Sequence, residues 1–228
     1  MTHTQLPFHS RLAGGLLLAA LSMSACQPTD PPRAEAPPAP AAAPPSATAL
    51  PAPVEAPADA FFERLATLCG QAFAGRITAN MPADTNDPFA GKPLVMHVRE
   101  CSAEEIRIPF HVGDDRSRTW VLTRTADGLR LKHDHRHADG HPDVLTQYGG
   151  DSLVPGSRER QEFPVDAESQ ALFSREGRDV SNTNVWALEV QPGLRFAYEL
   201  SRPHRLFRVE FNLANPVAAP PAPWGAEG

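Results

Sequence analysis

One run of residues concentrates groups that could do chemistry. His133-Asp134-His135-Arg136-His137-Ala138-Asp139-Gly140-His141 holds four of the chain's nine histidines. If a strand beginning at Leu129 continues through the run, Leu129, Leu131, His133, His135 and His137 share one face. Lys132, Asp134 and Arg136 then lie on the other. Alternate strand positions are about 6.6–6.8 Å apart, so two imidazoles at i and i+2 can converge on one metal ion. His133, His135 and His137 on a straight strand span too far for one ion, so a third ligand for zinc or another transition metal would come from His141, Asp139, His97 or His111. Three protein ligands and one open position would let a metal-bound water attack an ester, phosphate or amide. The plainer alternative is a polar strand end. Asp134 and Arg136 would then pair with charges on neighbouring strands, and Asp139 would accept backbone hydrogen bonds in the Asp139-Gly140 turn.

No other catalytic template is present. Gly149-Gly150-Asp151-Ser152 is not a nucleophile elbow, and neither a phosphate-binding glycine loop nor a metalloprotease His-Glu-x-x-His occurs. No catalytic residue is assigned, and the balance favours a protein that is not an enzyme. Trp120, Trp186, Tyr198 and Phe207 are read as inward-facing aromatics that fill a core or line a ligand cavity. Cys69 and Cys101 form an even pair once Cys26 is set aside, which in an oxidising compartment makes a disulfide. It would tie the first helix to the second strand.

The elements that must position these residues are mostly strands. Asp59 would cap a short helix through Leu68, with Phe61, Phe62, Leu65 and Leu68 at helical spacing. Beyond Gly70 the period becomes two. Leu94, Met96 and Val98 alternate with polar or smaller residues, as do Ile106, Ile108, Phe110 and Val112. Trp120 and Leu122 lead to an Asp127-Gly128 turn, and Leu129 and Leu131 begin the return strand. Pro142–Phe173 interrupts the pattern with a short strand at Gln161–Val165 and a helical turn from Asp166. Alternation resumes with Trp186, Leu188 and Val190, then Leu194, Phe196, Tyr198 and Leu200, then Phe207, Val209, Phe211 and Leu213. One wet and one buried face mark antiparallel sheet. A long meander tends to close, because closure removes its edges. The expected fold is therefore mainly β, a single antiparallel up-and-down barrel with a short N-terminal helix. A β-sandwich is the alternative. This pattern looks like the calycin or lipocalin class of barrels, and that likeness implies a small apolar ligand at the barrel mouth. The body also resembles uncharacterised secreted bacterial proteins with a similar His-Asp-His-Arg-His run.

The N-terminal segment differs in kind. Arg11 precedes an apolar run, Leu12–Leu21, that is too short to span a bilayer core of roughly 20 residues. Met23-Ser24-Ala25-Cys26 follows and resembles the lipobox of bacterial lipoproteins. The resemblance implies cleavage before Cys26, acylation of Cys26 and membrane attachment through lipid. By the same resemblance Gln27, not aspartate, implies sorting to the outer membrane; the expected location is the cell envelope on the periplasmic side, with surface exposure the alternative. Gln27–Pro57 then carries eleven prolines and ten alanines in 31 residues, which suits an extended tether. The expected organisation is a signal peptide at 1–25, lipidated cysteine and tether at 26–57, a barrel domain at 58–216 and a loose tail at 217–228, with Trp224 able to dock. Without Arg11 the chain has 20 basic and 27 acidic residues, a net charge of −7 that argues against nucleic-acid binding. The expected role is an envelope lipoprotein that binds a small apolar or amphipathic ligand or contacts an envelope protein. The His-cluster metal protein, a hydrolase at most, is the alternative.

Overall fold

The computed structural model describes residues 55–83, 87–152 and 155–226. Cys26, the signal segment and most of the tether lie outside the described residues. One antiparallel sheet dominates. In chain order its strands are β1 (Ala72–Met81), β2 (Leu94–His97), β3 (Glu100–Cys101), β4 (Glu105–Val112), β5 (Asp115–Thr125) and β6 (Gly128–His135). They continue with β7 (Tyr148–Asp151), β8 (Arg160–Pro164), β9 (Val185–Gln191), β10 (Arg195–Arg202) and β11 (Arg205–Val217). Their spatial order is β7-β6-β5-β4-β2-β1-β11-β10-β9-β8, with β3 paired to β4 at one side. Apart from the short β3, strands adjacent in sequence lie adjacent in the sheet, and β1 meets β11 to join the two halves. The result is a nearly closed up-and-down barrel.

The ends of the strand order, β7 and β8, meet at a seam. A backbone hydrogen bond from Asp166 to the Gly149 carbonyl, 2.9 Å, bridges them. Two glycines let β7 sit close to both of its neighbours, β6 through Gly149 and β8 across the seam through Gly150. A Cβ on Gly149 would lie 1.8 Å from the Leu131 carbonyl oxygen, and one on Gly150 would lie 1.7 Å from that of Pro164. Helix α2 (Ala167–Arg175) starts at the seam, with the Asp166 side chain capping Ser169 N at 2.8 Å.

The alternating apolar residues point inward. Ile106, Ile108, Leu122, Leu131, Leu188, Val209 and Phe211 are all essentially inaccessible. Helix α1 (Pro57–Ala66) plugs one end with Phe61, Phe62 and Leu65, also fully buried. Each such side chain is worth roughly 1.5–3 kcal/mol of transfer free energy. Asp59 does not cap this helix: Pro57 takes the first-turn position after Ala56, and Asp59 with Glu63 instead pairs with Arg124, whose guanidinium sits 4.1 Å over the Phe62 ring.

The outer wall is charged. Arg160, Arg195 and Arg208 interlock with Glu162, Glu189, Glu199 and Glu210 across β8 to β11. Membrane-spanning barrels carry an apolar outward band instead. Cys69 and Cys101 form a disulfide. It ties the turn after α1 to the short strand β3, not the helix to the second strand as expected.

Of the C-terminal segment expected to be loose, the described residues through Ala226 are docked. Strand β11 runs to Val217, and the chain beyond it crosses the outer wall. Arg116 donates to the Ala222 carbonyl at 2.8 Å, Arg99 to that of Ala226 at 3.2 Å, and Trp224 N to that of Arg116 at 3.1 Å. Pro223 is buried. A Pro/Ala/Gly-rich segment has few side chains with which to signal packing, and here its backbone groups make most of the polar contacts.

Candidate functional site

The end of the barrel opposite α1 contains a cavity of about 180 Å³. The ends of β4, β6 and β10 and the starts of β5, β7 and β11 supply its walls through Phe110, His133, Leu200, Trp120, Tyr148 and Phe207. Phe89, from the β1–β2 connection, leans over it and packs on Phe207 with ring centroids 5.0 Å apart. A second hollow of about 240 Å³ shares His135, Tyr148, Tyr198 and Leu200 with the first. It continues toward Phe173 of α2 and Trp186 of β9. A larger depression of about 570 Å³ lies on the outer wall where the β1–β11 register shifts, but it is open to solvent and carries Arg76, Arg195 and Glu210.

The four aromatics picked out in the sequence all reach this end. Trp120, Tyr198 and Phe207 line the first cavity, and Tyr198 and Trp186 line the second. Phe110, Trp120 and Tyr198 form a stack, with centroid spacings of 4.9 and 4.5 Å and interplanar angles of 16° and 13°. These rings are held by register: Trp120 faces His133 on β6, and Tyr198 faces Val209 on β11.

His133 and His135 come from the end of β6. His133 is 2% exposed, and both its ring nitrogens are engaged. Nδ1 lies 3.1 Å from the Tyr148 carbonyl oxygen, and Nε2 lies 2.9 Å from the Tyr198 hydroxyl. A carbonyl can only accept, so Nδ1 carries the proton and Nε2 accepts from Tyr198. Burial pushes the His133 pKa down to about 3, aided by His135. His135 shares a 3.3 Å hydrogen bond between its Nε2 and the Tyr148 hydroxyl. Its pKa falls to about 4, chiefly by burial and then by Arg118. Burial also raises both tyrosine phenols above their ordinary range. At neutral pH the cluster is therefore uncharged. General acid–base catalysis works best with a pKa near the operating pH; these groups lie far from it. They serve as fixed, neutral hydrogen-bonding groups.

The histidine run does not assemble a metal centre. Strand β6 ends at His135, so His137 never joins the inward row. The chain folds back through an Arg136–Pro142 bridge, with His137 N donating to the His141 carbonyl. His137 and His141 are exposed, and His137 lies 3.7 Å from Asp143. Asp139 accepts from His141 N, as the turn alternative requires. The rings of His133 and His135 are 6.4 Å apart at 80°. His97 and His111 alternate with the inward Met96 and Phe110, and so belong to the outer face of β2 and β4. Among the described residues no three His, Cys, Asp or Glu side chains are placed to hold one ion. Asp134, on the outer face, is buried and pairs with Arg107 at 2.8 Å and Arg136 at 3.2 Å. Charge pairing thus accounts for that part of the run.

Several cavity residues carry no sequence signal. Phe89 sits in a Pro/Asp/Gly-rich connection, and Tyr148 precedes a Gly-Gly pair. Arg118, Arg205, Arg178 and Arg202 also line the two hollows. The arginine pair between the last two strands had a signal: Pro203-His204 makes a two-residue turn and places Arg202 directly opposite Arg205. No protein-family model, curated protein or solved structure matches this chain.

Proposed function

We propose that this chain is an envelope lipoprotein whose barrel binds one small apolar or amphipathic molecule, about the size of a single ring, at its mouth. The observation that carries the binding proposal is the cavity. Its volume of about 180 Å³ is bounded by the Phe110–Trp120–Tyr198 stack, Phe89 and Phe207. A dry apolar cavity of roughly 150 Å³ is enough to take benzene. His133, His135 and Tyr148 add neutral polar groups on one side, the mix expected of small-molecule sites. The envelope assignment draws on the resemblance of Met23-Ser24-Ala25-Cys26 to a lipobox. The Cys69–Cys101 bond is consistent with an oxidising compartment.

Titration of the purified chain with toluene, phenol and indole, read by tryptophan fluorescence and calorimetry, tests the binding. Saturable binding that is lost in Leu200→Trp, whose indole would fill the cavity, is the expected result. No saturable binding to the unaltered protein would end the proposal. Mass spectrometry of the membrane fraction tests the anchor: the mature N-terminus should be Cys26 bearing acyl mass, and an unmodified chain would refute it.

A further inference from the structure

The charge around the mouth is lopsided. The chain as a whole is acidic, with a net charge of −6. Yet the two adjoining hollows are lined by Arg118, Arg205, Arg178 and Arg202 and by no aspartate or glutamate. Arg118 is already engaged, by Asp115 at 2.5 Å. The β10–β11 hairpin differs. It sets Arg202 and Arg205 opposite one another, an arrangement that costs free energy for like charges on paired strands. Neither finds a carboxylate among the described residues. Arg202 donates to the Asn184 side-chain oxygen at 3.2 Å, and Arg205 to the Met81 and Leu206 carbonyls at 3.2 and 2.9 Å. Burial, with Arg205 adding to it, lowers the Arg202 pKa. Elsewhere on the same strands the arginines are matched: Arg195 and Arg208 each meet glutamates. The excess positive charge is thus confined to the cavity end.

We infer that the ligand is a single-ring aromatic carboxylate, with its ring against the Trp120 stack and its anion at Arg205 and Arg202. This rests on the proposal that the mouth holds a ring-sized molecule, and adds the charge. Guanidinium presents paired N–H donors that match a carboxylate. Arg205 lies over Phe207, 5.8 Å from its centroid, so one side chain borders both the apolar floor and the opening. Asp115 and Asp143 act on His135 from outside the hollows, but neither pairs with Arg202 or Arg205, and no carboxylate lines the two hollows.

The test compares phenylacetate with phenylacetamide, a neutral isostere, on the purified full chain. Hydrogen bonds to charged groups contribute enough that phenylacetate should bind about 10-fold or more tightly. The preference should collapse in the double variant Arg202→Gln, Arg205→Gln, and at about 1 M salt, where screening acts within about 3 Å. Phenylacetamide affinity should fall far less than that of phenylacetate, and an unchanged circular dichroism spectrum and urea midpoint show that the variant is folded. Equal affinity for acid and amide in the unaltered protein would overturn the anion assignment while leaving the ring cavity standing. Binding of neither would overturn the cavity proposal, and this one with it.

Discussion

His133 is buried as a neutral imidazole, so acid should destabilise the barrel at pH values where its carboxylates are still ionised. The folded pKa is lowered from 6.5 to about 3. The unfolded chain therefore takes up a proton first as pH falls. Stability is complete above the unfolded value and is lost progressively down to the folded one. Asp115, Asp166, Glu189 and Glu199 have lowered pKa values as well. Their contributions are lost below their ordinary values of about 4. The interval from about pH 6.5 to about pH 4.5 therefore reports on histidines. Over those two units His133 should remove about 3 kcal/mol, at about 1.4 kcal/mol per unit. His135 and His111, both lowered to about 4, act in the same direction. The variant His133→Gln isolates one term, because an amide hydrogen-bonds but does not titrate. Urea unfolding at about pH 7.5 and about pH 4.5 would be measured for both proteins. The unaltered protein should lose about 3 kcal/mol more than the variant between the two conditions. Equal losses would show that His133 does not titrate between these states, and the neutral, doubly hydrogen-bonded assignment would fall. A less stable variant at neutral pH is expected and does not affect the comparison, which rests on the difference in pH dependence.

Replacing Cys69 and Cys101 by serine opens a loop of 32 residues and should cost about 3–4 kcal/mol by the chain-entropy model, seen as a lower urea midpoint. Gly150→Ala sets a methyl group 1.7 Å from the Pro164 carbonyl oxygen; the seam must part, with about 3 kcal/mol lost and faster amide exchange in β7 and β8. An unchanged exchange pattern would mean the two strands are not in close approach. Asp134→Ala removes the buried partner of Arg107 and Arg136. Both arginines are partly exposed, and Arg107 keeps Glu105 while Arg136 keeps the Gly140 carbonyl, so no charge is left buried and unpaired and the loss should be about 1–2 kcal/mol. Thermal unfolding would measure it.

How much of this protein was legible before its fold varied with distance along the chain. Period-two alternation in Glu105–Val112, Val185–Gln191 and Arg195–Arg202 marked those strands, because a residue's place on the inner or outer face follows from the pleat alone. Asp166 announced α2 for a similarly local reason: its carboxylate reaches a backbone N–H three residues on. The strand Ala72–Met81 was missed. Its sequence, with Gly75 and Asn80 inside, has little alternation, and its register with β11 shifts twice. That strand is nonetheless the one that joins the two halves of the meander.

The histidine run shows the same division. Its sequence placed Leu129, Leu131 and His133 on one face and Asp134 on the other, and it offered both a metal site and a strand end. What decided between them was where β6 stops and which groups wait across the barrel. Tyr148 and Tyr198 lie 15 and 65 residues away from His133 in sequence; the β6–β7 pairing sets the Tyr148 carbonyl at Nδ1, and only closure brings the Tyr198 hydroxyl to Nε2. The cysteine pair and the inward aromatics were evident from composition and period. The cavity, its arginine rim and the docked C-terminal segment were decided by tertiary structure, because each depends on contacts between strands far apart in the chain.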